Sequence, residues 1–140
     1  MRRLAHTMIR VMDLDRSLDF YVRLMGMQEL RTTPYPDGRF TNVFVGYGPA
    51  DRTAVLELTL NWDRSEPYEK GGAWGHFAIE VEDLEGFVAG LRAEGVRVTR
   101  EPGPMKGSPY SIAFIRDPDD YPIELLQSLT YCGRQAWRNG

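Results

Sequence analysis

Gly75-His76-Phe77-Ala78-Ile79-Glu80-Val81-Glu82-Asp83-Leu84 holds one of the chain's two histidines and reads as a strand, a turn and a helix start. Apolar and small residues run from Phe77 to Val81, and Asp83 is placed to cap the helix that follows. The same plan occurs at His6-Thr7-Met8-Ile9-Arg10-Val11-Met12-Asp13-Leu14, seventy positions earlier (76 − 6 and 83 − 13). Phe44-Val45 matches Phe114-Ile115 at that offset, and Val55-Leu56-Glu57-Leu58 matches Pro122-Ile123-Glu124-Leu125 at an offset of sixty-seven (124 − 57). An internal repeat decides the fold, because each copy is one supersecondary unit that cannot bury its own sheet face alone.

Working outward, each half reads as β-α-β-β-β. Residues 4–11 form the first strand, with His6, Met8 and Arg10 on one face and Thr7, Ile9 and Val11 on the other. Asp13 or Asp15 caps a helix whose apolar face is Leu18, Tyr21, Val22 and Met25, with Gly26 as its stop. Strands follow at 28–33, 40–47 and 53–61, and the segment 34–38 is a turn in which Asp37-Gly38 supplies positive φ. In the second half the spacing predicts strand 76–81, a helix from Leu84 to Glu94 with Leu84, Phe87, Val88 and Leu91 inward, and strands at 96–100, 110–116 and 121–126. Residues 102–109 read as a loop. The expected class is α+β: paired βαβββ modules, 1–66 and 72–128, forming a curved, mostly antiparallel eight-stranded sheet around a cleft, with a tail at 129–140.

Bulk properties narrow the function. A chain of 140 residues is long enough to fold without staples. Its net charge of −3 gives no electrostatic case for nucleic acid. No apolar run approaches the ~20 residues of a membrane helix, and Met1-Arg2-Arg3-Leu4-Ala5-His6 lacks the apolar segment of a secretory signal. The single Cys132 reads as an ordinary thiol and fits a cytoplasmic location. Gly46-Tyr47-Gly48-Pro49 reads as a hairpin turn, not a phosphate loop.

The repeat places His6, Glu57, His76 and Glu124 at matching positions. A single histidine on a strand is most often a packed or surface residue, and a single Glu among apolar neighbours is most often paired. Two imidazoles and two carboxylates at equivalent places in two repeats are instead a donor set for a divalent transition ion such as Ni, Co, Zn, Fe or Mn. Four protein ligands on an octahedral ion leave two open positions, as catalysis requires.

From Leu4 to Leu126 the chain resembles the short bacterial form of glyoxalase I, the lactoylglutathione lyases of the vicinal-oxygen-chelate superfamily. The resemblance is carried by His6-Thr7-Met8 with Arg10-Val11, Asp19-Phe20-Tyr21, Leu24-Met25-Gly26-Met27 and Phe44-Val45-Gly46-Tyr47-Gly48-Pro49. Glu57-Leu58-Thr59 with Asn61-Trp62, Gly75-His76, Thr99-Arg100-Glu101, Lys106-Gly107, and Asp117-Pro118 before Ile123-Glu124-Leu125 complete it. It implies isomerisation of the methylglyoxal–glutathione hemithioacetal to S-lactoylglutathione through an enediolate, with glutathione as co-substrate. It also implies Glu124 as base, with Glu57 opposite it serving the other face of the substrate or holding the metal. Arg10, Asn61, Lys106 and Gly107 are the implied contacts to glutathione. Nickel or cobalt is implied ahead of zinc, since the first ligand is His, and so is a homodimer with sites between subunits. The chain departs from the family at Asp120, where Gly is usual, and at Pro122, which reads as an edge or irregular strand. It departs also at Leu60 and at Gly72, where longer members carry Arg. The rival expectations are another metalloenzyme of the superfamily, such as an epimerase, dioxygenase or thiol transferase, and a non-catalytic binding protein of the same fold.

Overall fold

The structure, a computed structural model, describes residues 1–129. The expectations for Cys132 and for the tail beyond Leu129 lie outside the described residues. The chain divides into two compact units, with the boundary between Glu69 and Lys70.

In the first unit β1 (His6–Val11) leads into α1 (Leu14–Leu18), which continues as a π-helical turn over Asp19–Leu24. Strands β2 (Gln28–Tyr35), β3 (Phe40–Gly46) and β4 (Val55–Asn61) follow. They form a sheet of order β1-β4-β3-β2, with β1 parallel to β4 and the other pairs antiparallel. Asp13 caps α1 by accepting from the Arg16 N–H, and Gly26 at φ +74 lets the Met27 N–H reach back to the Tyr21 carbonyl. Alternation along β1 is as the sequence requires: Ile9 and Val11 are buried while His6, Met8 and Arg10 are exposed. Ile9, Val11, Tyr21, Val43, Val45 and Leu58 form the core of this unit.

The second unit repeats the plan with β5 (Phe77–Val81), α2 (Leu84–Ala93), β6 (Val98–Pro104), β7 (Ser111–Arg116) and β8 (Pro122–Gln127). Its sheet has the order β5-β8-β7-β6, and again only the β5–β8 pair is parallel. Asp83 caps α2 at the Gly86 N–H, and Leu84, Val88 and Leu91 pack inward. The eight expected strands are therefore present as two mixed sheets of four, each with one parallel and two antiparallel pairings.

Several local expectations are corrected. The helix of the first unit buries Ser17, Phe20, Tyr21 and Met25, whereas Leu18 and Val22 are half-buried. The π-helical turn, closed by the Met25 N–H on the Phe20 carbonyl, offsets the face from a strict 3.6-residue period. Positive φ in the turn before β3 falls on Arg39 (φ 53), not on Gly38. Glycine serves there for space, since a Cβ on Gly38 would lie 2.5 Å from the Phe40 ring. Arg39 is held by Asp63, which accepts its guanidinium at 2.6 Å.

Strand β6 begins later than expected and runs through Pro102 and Pro104. It tolerates them because it lies at the sheet edge, with register breaks on either side of Arg100. Pro122, by contrast, sits in an interior strand, between β5 and β7. It is the first residue of β8 and faces Arg116, while pairing with β5 starts only at Ile123, so no ladder bond is lost on that side.

Candidate metal and proton-transfer site

The first unit builds a His–Glu pair from strand register. Glu57 stands opposite Met8 on β1 and opposite Phe44 on β3, and His6 opens β1 two residues earlier. On one sheet face this diagonal brings His6 Nε2 to 2.9 Å from Glu57 Oε2. The carboxylate side chain is only 13% exposed, whereas the imidazole is 45% exposed. The Phe44 ring meets the imidazole edge-on at 5.6 Å and carries the Arg31 guanidinium at 4.7 Å. The second carboxylate oxygen is also held: Asn42 Nδ2 donates to Glu57 Oε1 at 2.6 Å. Thr59 Oγ1 in turn donates to Asn42 Oδ1 at 3.0 Å, which fixes the orientation of the amide. His6, Arg31 and Phe44 line a cleft of about 540 Å³ in this unit.

The second unit repeats the pair. His76, one residue before β5, places Nε2 3.0 Å from Glu124 Oε2. Phe114, opposite Glu124 in the β7–β8 register, sets its ring edge-on to the imidazole at 5.1 Å. The Glu124 side chain is 15% exposed.

In each pair one proton lies between an imidazole nitrogen and a carboxylate oxygen. Replacing that proton with a cation suits the same atoms. Two ligands at right angles and ~2.1 Å from an ion stand about 3.0 Å apart, which matches the 2.9 and 3.0 Å separations here. The donor types and spacing fit a divalent ion. Among the described residues no three His, Cys, Asp or Glu side chains gather into a metal-holding group, so each unit offers a pair, not a full set.

The other expected residues are placed as follows. Arg10 is exposed on the same face of β1 as His6. Asn61 ends β4 and donates to the Tyr68 hydroxyl at 2.9 Å. Lys106 and Gly107 lie in the exposed turn between β6 and β7, with Gly107 at φ +77. Arg100, one of the residues that carry the resemblance, donates its guanidinium to the Ile112 and Pro104 carbonyls at 3.1 and 3.2 Å, tying down the start of that turn. Three contributors escaped the sequence reading. Phe44 and Phe114 were visible as a repeat match, but their role as walls for the imidazoles follows only from strand register. Asn42 carried a usable signal, a polar side chain two residues from Phe44 and so on the same strand face.

Residues 3–125 match the Glyoxalase/Bleomycin resistance protein/Dioxygenase superfamily. The chain belongs to this superfamily. Among its relatives, the lactoylglutathione lyase of Neisseria meningitidis is 51% identical over 125 residues, covering 89% of this chain and 90% of that protein. The lactoylglutathione lyase of Escherichia coli O157:H7 is 49% identical, with 89% and 92% coverage. Among solved structures, the trypanothione-dependent glyoxalase I of Leishmania major superposes with a TM-score of 0.83 at 45% identity, covering 94% of this chain and 91% of that one. Glyoxalase I from Zea mays superposes at 0.84 with 41% identity, and the chain covers 90% of itself but 44% of the maize chain. The fold described above is thus shared with these solved structures.

Proposed function

We propose that this protein is a metal-dependent lactoylglutathione lyase that isomerises the methylglyoxal–glutathione hemithioacetal to S-lactoylglutathione and so detoxifies methylglyoxal. The observation that carries this reading is the duplicated pair, His6–Glu57 and His76–Glu124, each with the carboxylate shielded and the imidazole walled by a phenylalanine. Relatives about half identical over nearly their whole length are named for this activity.

His6, Glu57, His76 and Glu124 would hold the ion, nickel or cobalt ahead of zinc. Bound there, the ion supplies Lewis-acid polarisation of the substrate oxygens. Glu124 removes the proton from the carbon that carries sulfur and hydroxyl, and the electron pair shifts toward the adjacent carbonyl. The same carboxylate returns the proton to that neighbouring carbon while the hydroxyl proton passes to the former carbonyl oxygen, leaving a thioester and a secondary alcohol with no net change in atoms or electrons. The low exposure of Glu124 keeps water from competing for the proton. Arg10, Lys106 and the Gly107 backbone N–H suit the carboxylates of the glutathione moiety, and Asn61 its amides. The full ligand set is assembled in a homodimer, one pair from each subunit, and the protein works in the cytoplasm.

The test is turnover of the hemithioacetal by metal-stripped protein with nickel, cobalt, zinc or nothing added back, followed as thioester formation. Metal-dependent turnover that falls about 100-fold or more in Glu124→Gln is expected from the size of general-base effects. Folded, metal-loaded protein that forms no thioester with any ion refutes the reading. One variation has a specific motive: a relative of 45% identity is described as trypanothione-dependent, so the assay includes a second thiol beside glutathione.

A further inference from the structure

The two His–Glu pairs are alike in their ring contacts and unlike in what holds the carboxylate. Glu57 is anchored twice, by His6 on Oε2 and by Asn42 on Oε1, and Asn42 is itself fixed by buried Thr59. The repeat offsets place Ile112 where Asn42 stands and Leu126 where Thr59 stands (112 − 42 is seventy, 126 − 59 is sixty-seven). Strand register agrees, since Asn42 faces Thr59 across β3–β4 and Ile112 faces Leu126 across β7–β8. Those two side chains have no hydrogen-bonding group. Among the described residues Glu124 is anchored by His76 alone.

We infer that Asn42, backed by Thr59, is the positioning device that makes Glu57 the fixed carboxylate and leaves proton transfer to Glu124. The inference rests on the lyase reading and goes beyond it, since the repeat alone makes the two carboxylates equivalent. A base must swing between a ligand position and the substrate carbon and back. A carboxylate whose second oxygen is held by an amide loses a charge-assisted hydrogen bond in that swing, whereas one with no such anchor among the described residues loses none. Asn42 is a positioning residue that acts through Glu57. Thr59 acts one step further out, by denying the amide its flipped orientation.

The test exchanges the first unit's anchor for the second unit's apolar pair. Four proteins are compared: wild type, Asn42→Ile/Thr59→Leu, Glu124→Gln, and the combination of all three changes. Removing Asn42 and Thr59 together leaves neither polar partner stranded in the sheet. Glu124→Gln is expected to lose most of its kcat, and the triple variant to regain at least tenfold, because the released Glu57 takes over as base. A purely structural role for Asn42 predicts further loss instead of a gain. The readout independent of turnover is cobalt affinity measured calorimetrically on the stripped protein, expected to weaken about tenfold in Asn42→Ile/Thr59→Leu, the range of one hydrogen bond to a charged group. A triple variant no more active than Glu124→Gln, or unchanged cobalt affinity in the double variant, overturns the inference while an active wild type leaves the lyase reading standing. A wild type that forms no thioester overturns both. If the double replacement does not fold, Thr59→Val in the Glu124→Gln background carries the test, with a partial recovery of kcat of about threefold expected and no recovery refuting it.

Discussion

Asp117→Ala is expected to cost more stability than any surface change of similar size, and Asp117→Asn very little. Asp117 is 5% exposed and sits in the turn that joins β7 to β8. Its Oδ1 accepts two backbone N–H groups, from Asp119 at 2.9 Å and from Tyr121 at 2.8 Å. The turn is closed further by the Asp117 N–H on the Tyr121 carbonyl and the Asp120 N–H on the Asp117 carbonyl. It holds Asp120 at φ 67, a conformation that Asp tolerates better than most residues. Alanine removes these two bonds from the turn, one of them to the backbone N–H of buried Tyr121. Bonds to charged groups are worth roughly 1.5–3 kcal/mol each and are not additive, so the loss should be about 3–4 kcal/mol. That is a large share of the ~5–15 kcal/mol that holds a domain folded. Asparagine keeps an oxygen where Oδ1 stands and loses only charge assistance, about 1 kcal/mol. The assay is urea unfolding followed by circular dichroism. With a slope near 2 kcal/mol/M, Asp117→Ala should lower the midpoint by about 1.5–2 M and Asp117→Asn by about 0.5 M, with slopes unchanged. Equal losses in the two variants would refute the reasoning, because the carboxylate would then act through its charge and not through one oxygen placed for two donors.

Other perturbations follow from the same geometry. Gly86→Ala should fail to stabilise α2: its Cβ would lie 2.2 Å from Asp83 Oδ2, so about 1 kcal/mol of helix propensity is offset by the loss of a cap of similar worth. In the Asp83→Ala background the same change should raise stability by about 1 kcal/mol, and a double-mutant cycle on urea midpoints checks the difference. The Tyr47 hydroxyl donates to the Met25 carbonyl at 2.8 Å, and desolvation pushes its pKa up to about 12. A raised phenol pKa means that this bond contributes fully below pH 10 and is lost as pH rises from 10 to 12. Tyr47→Phe should therefore flatten the fall in stability across that window, by an amount kept modest because the residue is 55% exposed. A fall as steep as in the wild type would count against it. Phe114→Leu removes the ring wall 5.1 Å from His76 and should weaken nickel binding several-fold in calorimetry while leaving the unfolding free energy from urea denaturation within about 1.5 kcal/mol of wild type.

Much of this architecture was legible because the chain states it twice. The helix caps Asp13 and Asp83 and the histidines His6 and His76 recur at an offset of seventy, and the glycines that end the two helices, Gly26 and Gly95, at sixty-nine. A signal too weak to trust in one copy is convincing in two. The misplaced boundaries share one cause, which is that the position of a strand within its sheet is not written in its own residues. Pro102 and Pro104 were read as breakers because edge placement for β6 was not visible, and Pro122 was read as an edge marker although β8 runs through the interior. In each case proline was accommodated at an edge strand or at the first residue of a strand. The π-helical turn after α1 was hidden for a related reason. One inserted residue per turn changes which side chains face the core without changing composition.

The candidate site divides in the same way. The residue types that bear the chemistry came from the repeat, because His6, Glu57, His76 and Glu124 are separated by the same offsets as the strands that carry them. What distinguishes Glu57 from Glu124 came only from register, since the bond from Asn42 runs diagonally between β3 and β4 and a slip of one residue would turn it to the other face. Yet the offsets that align the four candidate ligands also align Asn42 with Ile112 and Thr59 with Leu126. A repeat read for its matches yields the donor set. Read for mismatches at positions flanking that set, it yields the difference in anchoring between Glu57 and Glu124. Polar-for-apolar mismatches beside matched acids are therefore the positions at which to look for unequal roles in a duplicated site.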